Sequence, residues 1–224
     1  MTILLEACLD SLELAQHAER GGAGRIELCD RLDIGGTTPD AGTIAAIVAA
    51  VRIPVFVIIR PRGGDFVYSS TEIEAMKRDV EMARRAGAAG IVLGILNADC
   101  TVDVARTQSV MDIAPDLPTT FHLAFDAVPD QRAALQALSD IGVARVLTSG
   151  GAGRAIDGME SLRQLVDQSA GRIRIMAGGG IREANVGEIV KRTGVKEIHS
   201  RGLAVAEILA GANAAWRERR GPPP

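Results

Sequence analysis

The sequence predicts a single closed (β/α)8 barrel, an α/β fold of the TIM-barrel type with a parallel sheet inside and helices outside. Short apolar runs alternate with longer helix-like runs eight times in 224 residues, as expected when helices join buried parallel strands. A local repeat also precedes every second strand: a helix-ending glycine, a small apolar residue, a short polar step and then the strand. Its copies begin at Gly22, Gly87, Gly142 and Gly194. Eight units in so short a chain fit a closed barrel better than an open, doubly wound sheet.

The strands are predicted where β-branched and other apolar residues form short runs between polar or glycine-containing segments. In chain order they cover residues 3–7, 25–29, 55–60, 90–96, 119–123, 145–148, 173–177 and 196–200. No linker or shift of composition marks a second domain. We therefore expect one barrel over residues 1–220, followed by a disordered proline-rich tail over residues 221–224.

The helices are predicted from capping residues at their starts and glycines near their ends. The first begins at Asp10 or Ser11, and the third is capped by Ser70 or Thr71. In chain order the helices cover residues 10–20, 39–51, 70–86, 104–113, 130–141, 158–169, 183–193 and 203–219. The apolar stretch 44–51 either covers the sheet or forms a dimer interface.

The composition is that of a globular protein and argues against several classes of partner. A net charge of -3 gives no basic field for nucleic acid. No apolar run approaches the ~20 residues of a membrane span, and the start has no basic segment of a signal peptide. Three cysteines, an odd number, fit a reducing cytoplasm better than a disulfide framework. We expect no nucleic acid and no membrane as partners.

In a barrel of this kind the functional site lies at the carboxyl ends of the strands. The first strand carries Glu6 and Cys8 on one face, and the second carries Glu27 and Cys29 on one face. The cysteines are either small buried apolar residues or a thiolate pair for a soft metal such as Cu(I). The glutamates are either structural ion-pair partners or an acid–base couple whose pKa values burial separates. Cys100 lies in a polar loop and is expected to take no part.

The third strand ends in Arg60, with Arg62 and Asp65 in the loop that follows. In extended chain the two arginines point the same way, and arginine is suited to bidentate capture of a carboxylate or phosphate. The sequence predicts either an internal Arg–Asp65 ion pair or the anion-holding wall of an active site.

The remaining strand ends supply further candidates. The fifth strand brings His122, with Asp126 beyond it, and these are candidate proton-transfer groups. Glycine-rich or polar loops after the last two strands could hold an anionic ligand on backbone N–H groups or only make tight turns. The candidate ligand-binding residues at the last three strand ends are Ser149, Gly179, Gly180, His199 and Ser200. A metal site of His122, His199 and a glutamate lacks any recognisable ligand spacing.

Together these strand ends resemble the CutC copper homeostasis family. The resemblance rests on the stretches 4–8, 25–29, 35–39, 59–66, 121–126 and 146–150, which read LLEAC, RIELC, GGTTP, IRPRGGDF, FHLAFD and VLTSG. It runs from the first strand to the eighth. This chain departs from the family in having Leu123 where an arginine usually follows the histidine of the fifth strand. It also ends soon after its eighth strand, where many members extend further.

The resemblance implies a cytoplasmic (β/α)8 barrel, commonly a homo-oligomer, that takes part in copper homeostasis. It implies Cu(I) binding at the cysteines that match Cys8 and Cys29. The alternative from the residues themselves is an enzyme acting on a small anionic substrate. In that case Arg60 and Arg62 hold the anion, and Glu27 and His122, with Glu6 or Asp126, transfer protons.

Overall fold

The computed structural model describes residues 2–201 and 204–220. In these residues eight parallel strands close into a barrel in chain order, which confirms the predicted fold class. The strands are β1 (Leu4–Leu9), β2 (Arg25–Leu28), β3 (Val55–Ile58), β4 (Gly90–Leu93), β5 (Thr119–Phe121), β6 (Arg145–Thr148), β7 (Arg174–Ala177) and β8 (Glu197–Ser200). The tail 221–224, expected to be disordered, lies outside the described residues.

A helix follows each strand and packs outside the sheet. The helices are α1 (Leu12–Arg20), α2 (Ala41–Ala50), α3 (Ser70–Arg85), α4 (Val104–Met111), α5 (Gln131–Asp140), α6 (Met159–Ser169), α7 (Glu183–Thr193) and α8 (Val205–Arg220). On α2, Ile44 and Ile47 are buried in the main core, so the apolarity of this segment serves to cover the strands. None of the helices in the described part of the chain combines the length and hydropathy needed to cross a bilayer.

Several predicted boundaries differ from the observed ones, and at three of them a side chain or loop that bonds to the backbone gives the reason. The N-cap of α3 is Ser69, whose hydroxyl and backbone form a reciprocal capping box with Glu72. The strand β5 stops at Phe121, because the ring of His122 accepts a hydrogen bond from Ala124 N–H and starts a 3-10 turn over Leu123–Ala127. The strand β4 stops at Leu93, and beyond it Leu96 donates to the backbone of Phe66.

Buried charges fill the lower part of the barrel interior, near the amino ends of the strands. Arg25 donates to Glu197 at 2.7 Å, and Arg145 donates to the same carboxylate at 2.8 Å. Both guanidinium groups lie over the Phe56 ring, at 5.0 and 5.2 Å from its centroid. Arg25 also reaches Met176 on β7, across the barrel from β2. Contacts between strands that are not neighbours show that this layer plugs the barrel, which is a packed core rather than a pore.

Two glycines, Gly90 at the start of β4 and Gly94 just after it, make room for large side chains inside the barrel. A Cβ on Gly90 would lie 2.5 Å from the Phe56 ring, and a Cβ on Gly94 would collide with the imidazole of His122. The fourth strand therefore ends without a polar side chain because its neighbour occupies that space. This is what lets His122 sit inside the barrel.

Candidate functional site

A cavity of about 420 Å³ opens at the carboxyl ends of the strands, above the charged layer. Nine of the residues predicted to act at the site line it: Cys8, Glu27, Cys29, Arg60, His122, Gly179, Gly180, His199 and Ser200. Apolar walls come from Ile58, Phe66, Leu123, Leu147 and Ile181. Among the described residues, five predicted ones do not line this cavity: Glu6, Arg62, Asp65, Asp126 and Ser149.

The two cysteines meet at this cavity. Cys8 and Cys29 are 6% and 2% exposed, and their Sγ atoms lie 3.7 Å apart. Both are free thiols, as is the exposed Cys100. Ligand atoms of Cys8, Glu27 and His199 also lie within 4.8 Å of one another. The cluster thus combines sulfur, nitrogen and oxygen donors at one point.

The thiols carry opposite pKa displacements. The pKa of Cys8 is well below its ordinary value because the thiolate accepts a hydrogen bond from Cys29 and, in addition, one from His199. The same Cys29–Cys8 hydrogen bond, together with burial, raises the pKa of Cys29 well above its ordinary value. These displacements favour a thiolate on Cys8 with the shared proton on Cys29. A thiolate is the form of cysteine that binds metals and attacks electrophiles.

The ring of His199 joins the thiols to the carboxylates. Its Nδ1 lies 2.9 Å from Oε1 of Glu6 and 3.4 Å from Oε2 of Glu27. Burial by itself lowers the pKa of this imidazole, but the hydrogen bond to Cys8 and the charge of Glu27 outweigh burial and raise it well above 6.5. The raised pKa favours the charged form of His199, which in turn favours the thiolate of Cys8.

The pKa values of the two glutamates of the first strands are displaced in opposite directions. Glu6 is buried, which raises its pKa, but bonds from His199 and Arg25 dominate and lower it to about 2. Burial raises the pKa of Glu27 well above 4.5, and the nearby Cys8 thiolate adds to the effect. Glu6 lies below the cavity, paired with Arg25, whereas Glu27 faces the cavity. The pKa values of the two carboxyls are thus displaced to opposite sides of their ordinary value.

His122 lines the cavity as a neutral ring. Its Nδ1 accepts the N–H of Ala124 at 3.1 Å, so the ring proton is on Nε2. Burial, with the positive charge of Arg60, lowers its pKa to about 3. Nε2 is buried and has no hydrogen-bond partner among the described residues. The ring stacks at a tilt against Phe66, with 4.9 Å between the ring centroids.

Arg60 lines the cavity but is anchored by backbone carbonyls. Its Nη1 donates to Ile34 and Gly36 at 3.2 and 2.9 Å, and its Nη2 donates to Gly64 at 2.8 Å. These bonds tie the loops after β2 and β3 together. The guanidinium also lies 5.1 Å from the centroid of Phe66.

The structure does not place Arg62 beside Arg60 as a second arm of an anion clamp. Arg62 pairs with Asp65 at 2.9 Å and with Glu72 at 2.6 Å, which fixes the loop to the start of α3. The pairing expected as the structural alternative is therefore present for Arg62 and Asp65. The shared orientation of the two arginines assumed an extended chain, and β3 ends at Ile58, before either of them.

Asp126 and Ser149 join two loops beside the cavity. The carboxylate of Asp126 accepts hydrogen bonds from the hydroxyl of Thr148, from the backbone and hydroxyl of Ser149 at 2.9 and 2.7 Å, and from the N–H of Gly151 at 3.1 Å. This arrangement locks the 3-10 turn after β5 to the loop after β6. Asp126 and Ser149 therefore support the wall of the cavity, and their side chains do not line it.

Sequence reasoning missed two cavity arginines and the charged layer below. Arg182 and Arg201 line the cavity, directly beyond the loop after β7 and the end of β8. Their position next to strand ends was a usable signal. Arg25, Arg145 and Glu197 lie at the amino ends of strands, where charge ordinarily indicates exposure, and no local pattern reveals their contacts.

A family model and the similar proteins of known sequence all indicate the same family. The model of the CutC family matches residues 3–204. The chain belongs to the CutC family. A copper homeostasis protein cutC homolog of Mus musculus is 50% identical over 196 residues, covering 88% of this chain and 72% of that protein. A family protein CutC of Vibrio cholerae is 46% identical over 201 residues, covering 89% and 79%.

A CutC structure shows the same architecture. The crystal structure of a CutC protein from Streptococcus agalactiae superposes with a TM-score of 0.86 at 35% identity, covering 90% of this chain and all of that one. The resemblance read from the strand-end motifs is thereby confirmed. Within this CutC chain, Leu123 takes a half-exposed place on the cavity wall, 38% exposed.

Proposed function

We propose that this chain is a cytoplasmic Cu(I)-binding protein of copper homeostasis that holds the ion between Cys8 and Cys29. The observation that carries the proposal is the 3.7 Å separation of the two sulfur atoms at the cavity. A thiolate–metal bond is about 2.3 Å for zinc, so one ion can contact two sulfurs up to about 4.6 Å apart. Soft thiolates select Cu(I). The donors present therefore fit the ion.

The surroundings of the sulfurs suit a soft cation. Cys8 carries a thiolate stabilised by Cys29 and then by His199, so binding requires the removal of one thiol proton rather than two. The side chains of Ile58 and Leu147 line the same cavity and reduce the access of water. Paired reduced thiols persist in a reducing compartment, which supports the cytoplasmic location. The name of the mouse relative supports the copper role.

Titration of reduced protein with Cu(I), against a chelator of known affinity, tests the proposal. We expect one tight equivalent in the parent and in Cys100→Ser, which removes the exposed thiol. Cys8→Ser combined with Cys29→Ser should lose it. Equal affinity in the double variant and the parent would show that the two sulfurs only fill the core.

An enzyme is the second candidate, and the opposite displacement of the Glu6 and Glu27 pKa values favours it. Glu27, whose pKa is raised, faces the cavity and is suited to donate a proton, and the ring of His199 lies between it and Glu6. The substrate would be a small anion. The pH dependence of turnover, measured for any substrate found and for Glu27→Gln, tests this role.

We also propose that the protein assembles as a homo-oligomer, as the family commonly does. Light scattering coupled to size-exclusion chromatography measures the mass directly. A monomer mass at all concentrations would contradict the proposal.

A further inference from the structure

We propose that the cavity binds a small organic molecule through an oxyanion group, a carboxylate or a phosphate. The oxyanion accepts a hydrogen bond from Nε2–H of His122 and lies in the positive field of Arg60, Arg182 and Arg201. The inference goes beyond copper binding and does not rest on it. It would supply the substrate site of the enzyme candidate, but it stands as a binding site without any reaction.

His122 supplies the first observation. The ring is 5% exposed and lines the cavity. Because Nδ1 accepts the backbone N–H of Ala124, Nε2 must carry the proton of the neutral ring. That donor is buried and has no partner in the described residues. A buried donor without a partner destabilises the folded protein, because it has lost its hydrogen bond to water. A ligand that offers an acceptor to Nε2 would remove this cost.

The second observation is the pairing of the cavity arginines. Arg60 is 4% exposed and is bonded to backbone carbonyls, without a carboxylate within ion-pair distance in the described residues. Arg182 donates to the carbonyl of Ile181, and Arg201 approaches that of Leu32 at 3.5 Å. By contrast, Arg62 and Arg154 at the same end of the barrel each pair with acidic side chains. The positive charge that remains uncompensated is the charge that faces the cavity.

Two acidic groups share the cavity and must be set against these cations. They are Cys8 and Glu27, and the lining sets three guanidinium groups, those of Arg60, Arg182 and Arg201, against them. The lining therefore carries more positive than negative charge even with Cys8 and Glu27 both ionised. An anionic ligand is attracted into such a site, and burial of Arg60 strengthens the attraction.

The cavity also has the dimensions and walls of a small-molecule site. Its volume is about 420 Å³, within the range of ligand pockets. Phe66, Leu123 and Ile181 provide apolar surface beside the polar groups. A bare inorganic ion would leave this surface wet. The organic part of a carboxylated or phosphorylated molecule would cover it.

Isothermal titration calorimetry on reduced, metal-free protein tests the inference with two probes, inorganic phosphate and the dicarboxylate glutarate. The variants are Arg201→Gln and His122→Leu. The matched control is Arg172→Gln, which removes the same charge from an exposed arginine just before β7, at the opposite end of the barrel. We expect saturable binding of at least one probe and about tenfold weaker binding in Arg201→Gln, since a charged hydrogen bond is lost. The control should bind as the parent does.

A measurement on the parent protein covers the case in which His122→Leu does not fold. The ¹⁵N resonance of His122 Nε2 should shift when the probe binds. Binding of phosphate alone assigns a phosphate group, binding of glutarate alone assigns a carboxylate, and binding of both assigns the shared oxyanion chemistry. Because the titrated protein is metal-free, saturable binding of a probe separates this site from the copper site. No saturable heat with either probe at millimolar concentration, or equal weakening by Arg172→Gln, overturns the inference.

Discussion

The sulfur atoms of Cys8 and Cys29 lie 3.7 Å apart although 21 residues separate them in the chain. The register of β1 and β2 places Cys8 opposite Glu27, so Cys29 projects from the same face of the sheet two residues further on. A slip of one residue would turn one sulfur toward the helices. The strand pairing therefore builds the thiol pair, and several of its properties can be measured.

The thiol of Cys8 should ionise at lower pH than an ordinary cysteine. The hydrogen bond from Cys29 is the main cause, so Cys29→Ala should raise the pKa of Cys8. Thiolate absorbance in the ultraviolet, followed against pH in a Cys100→Ser background, measures both values. An unchanged titration after removal of Cys29 would contradict the assignment of the donor.

Glu6→Gln should destabilise the fold at neutral pH by about 3 kcal/mol, because it leaves the buried Arg25 and His199 without their shared carboxylate. The folded-state pKa of Glu6 is about 2, below its usual 4.5. The stabilisation is therefore complete above pH 4.5 and is lost as the pH falls toward 2. The difference between parent and variant should shrink over that interval in urea unfolding.

The exposed Glu188→Gln is the matched control for that experiment. It removes a surface ion pair with Arg192, which is expected to contribute less than about 1 kcal/mol. A loss as large as that of Glu6→Gln would mean that burial does not distinguish the two carboxylates.

His122 should remain neutral, with its proton on Nε2, as the pH falls from neutral toward 4. Its pKa is lowered from 6.5 to about 3 by burial and then by Arg60. The lowered folded-state pKa contributes stability above pH 6.5 that is lost as the pH falls toward 3. Imidazole nitrogen chemical shifts report both the tautomer and the charge. A titration near the ordinary value, or a protonated Nδ1, would refute the geometry.

Gly94→Ala should destabilise the protein by about 1–3 kcal/mol, because the new Cβ collides with the His122 ring and with Ala124. Gly187→Ala should instead stabilise it by about 0.5–1 kcal/mol. Gly187 lies in α7, where a new Cβ meets only ordinary contacts at 3.8 Å. Thermal unfolding of both variants gives the comparison. If both substitutions changed the stability in the same direction, the contrast between the crowded Gly94 and the open Gly187 would be contradicted.

The fold followed from local signals in the sequence. Alternating strand and helix patterns, with Gly22, Gly87, Gly142 and Gly194 after helices, fixed the order of the elements, and the carboxyl ends of the strands located the cavity. The two-residue period holds in β1 and continues from β2 into Cys29, the residue after it, so the placement of Cys8 and Cys29 together could be predicted.

Beyond the ends of the strands, the two-residue period no longer predicts which way the side chains point. Arg60 and Arg62 lie past the end of β3, where the chain bends, and Arg62 turns away to Glu72. The contact depends on the position of α3, which the local sequence does not determine. The layer of Arg25, Arg145 and Glu197 was missed for a related reason, since its contacts exist only once the barrel has closed.

The charged layer of Arg25, Arg145 and Glu197 also limits access to the cavity. Because it plugs the lower end of the barrel, the described part of the chain leaves the cavity open only at the strand carboxyl ends. The two sulfurs and the groups of the proposed oxyanion site line this one cavity, so an ion and an organic anion would share its entrance. An organic anion bound there would therefore slow both the entry and the departure of an ion at the sulfurs.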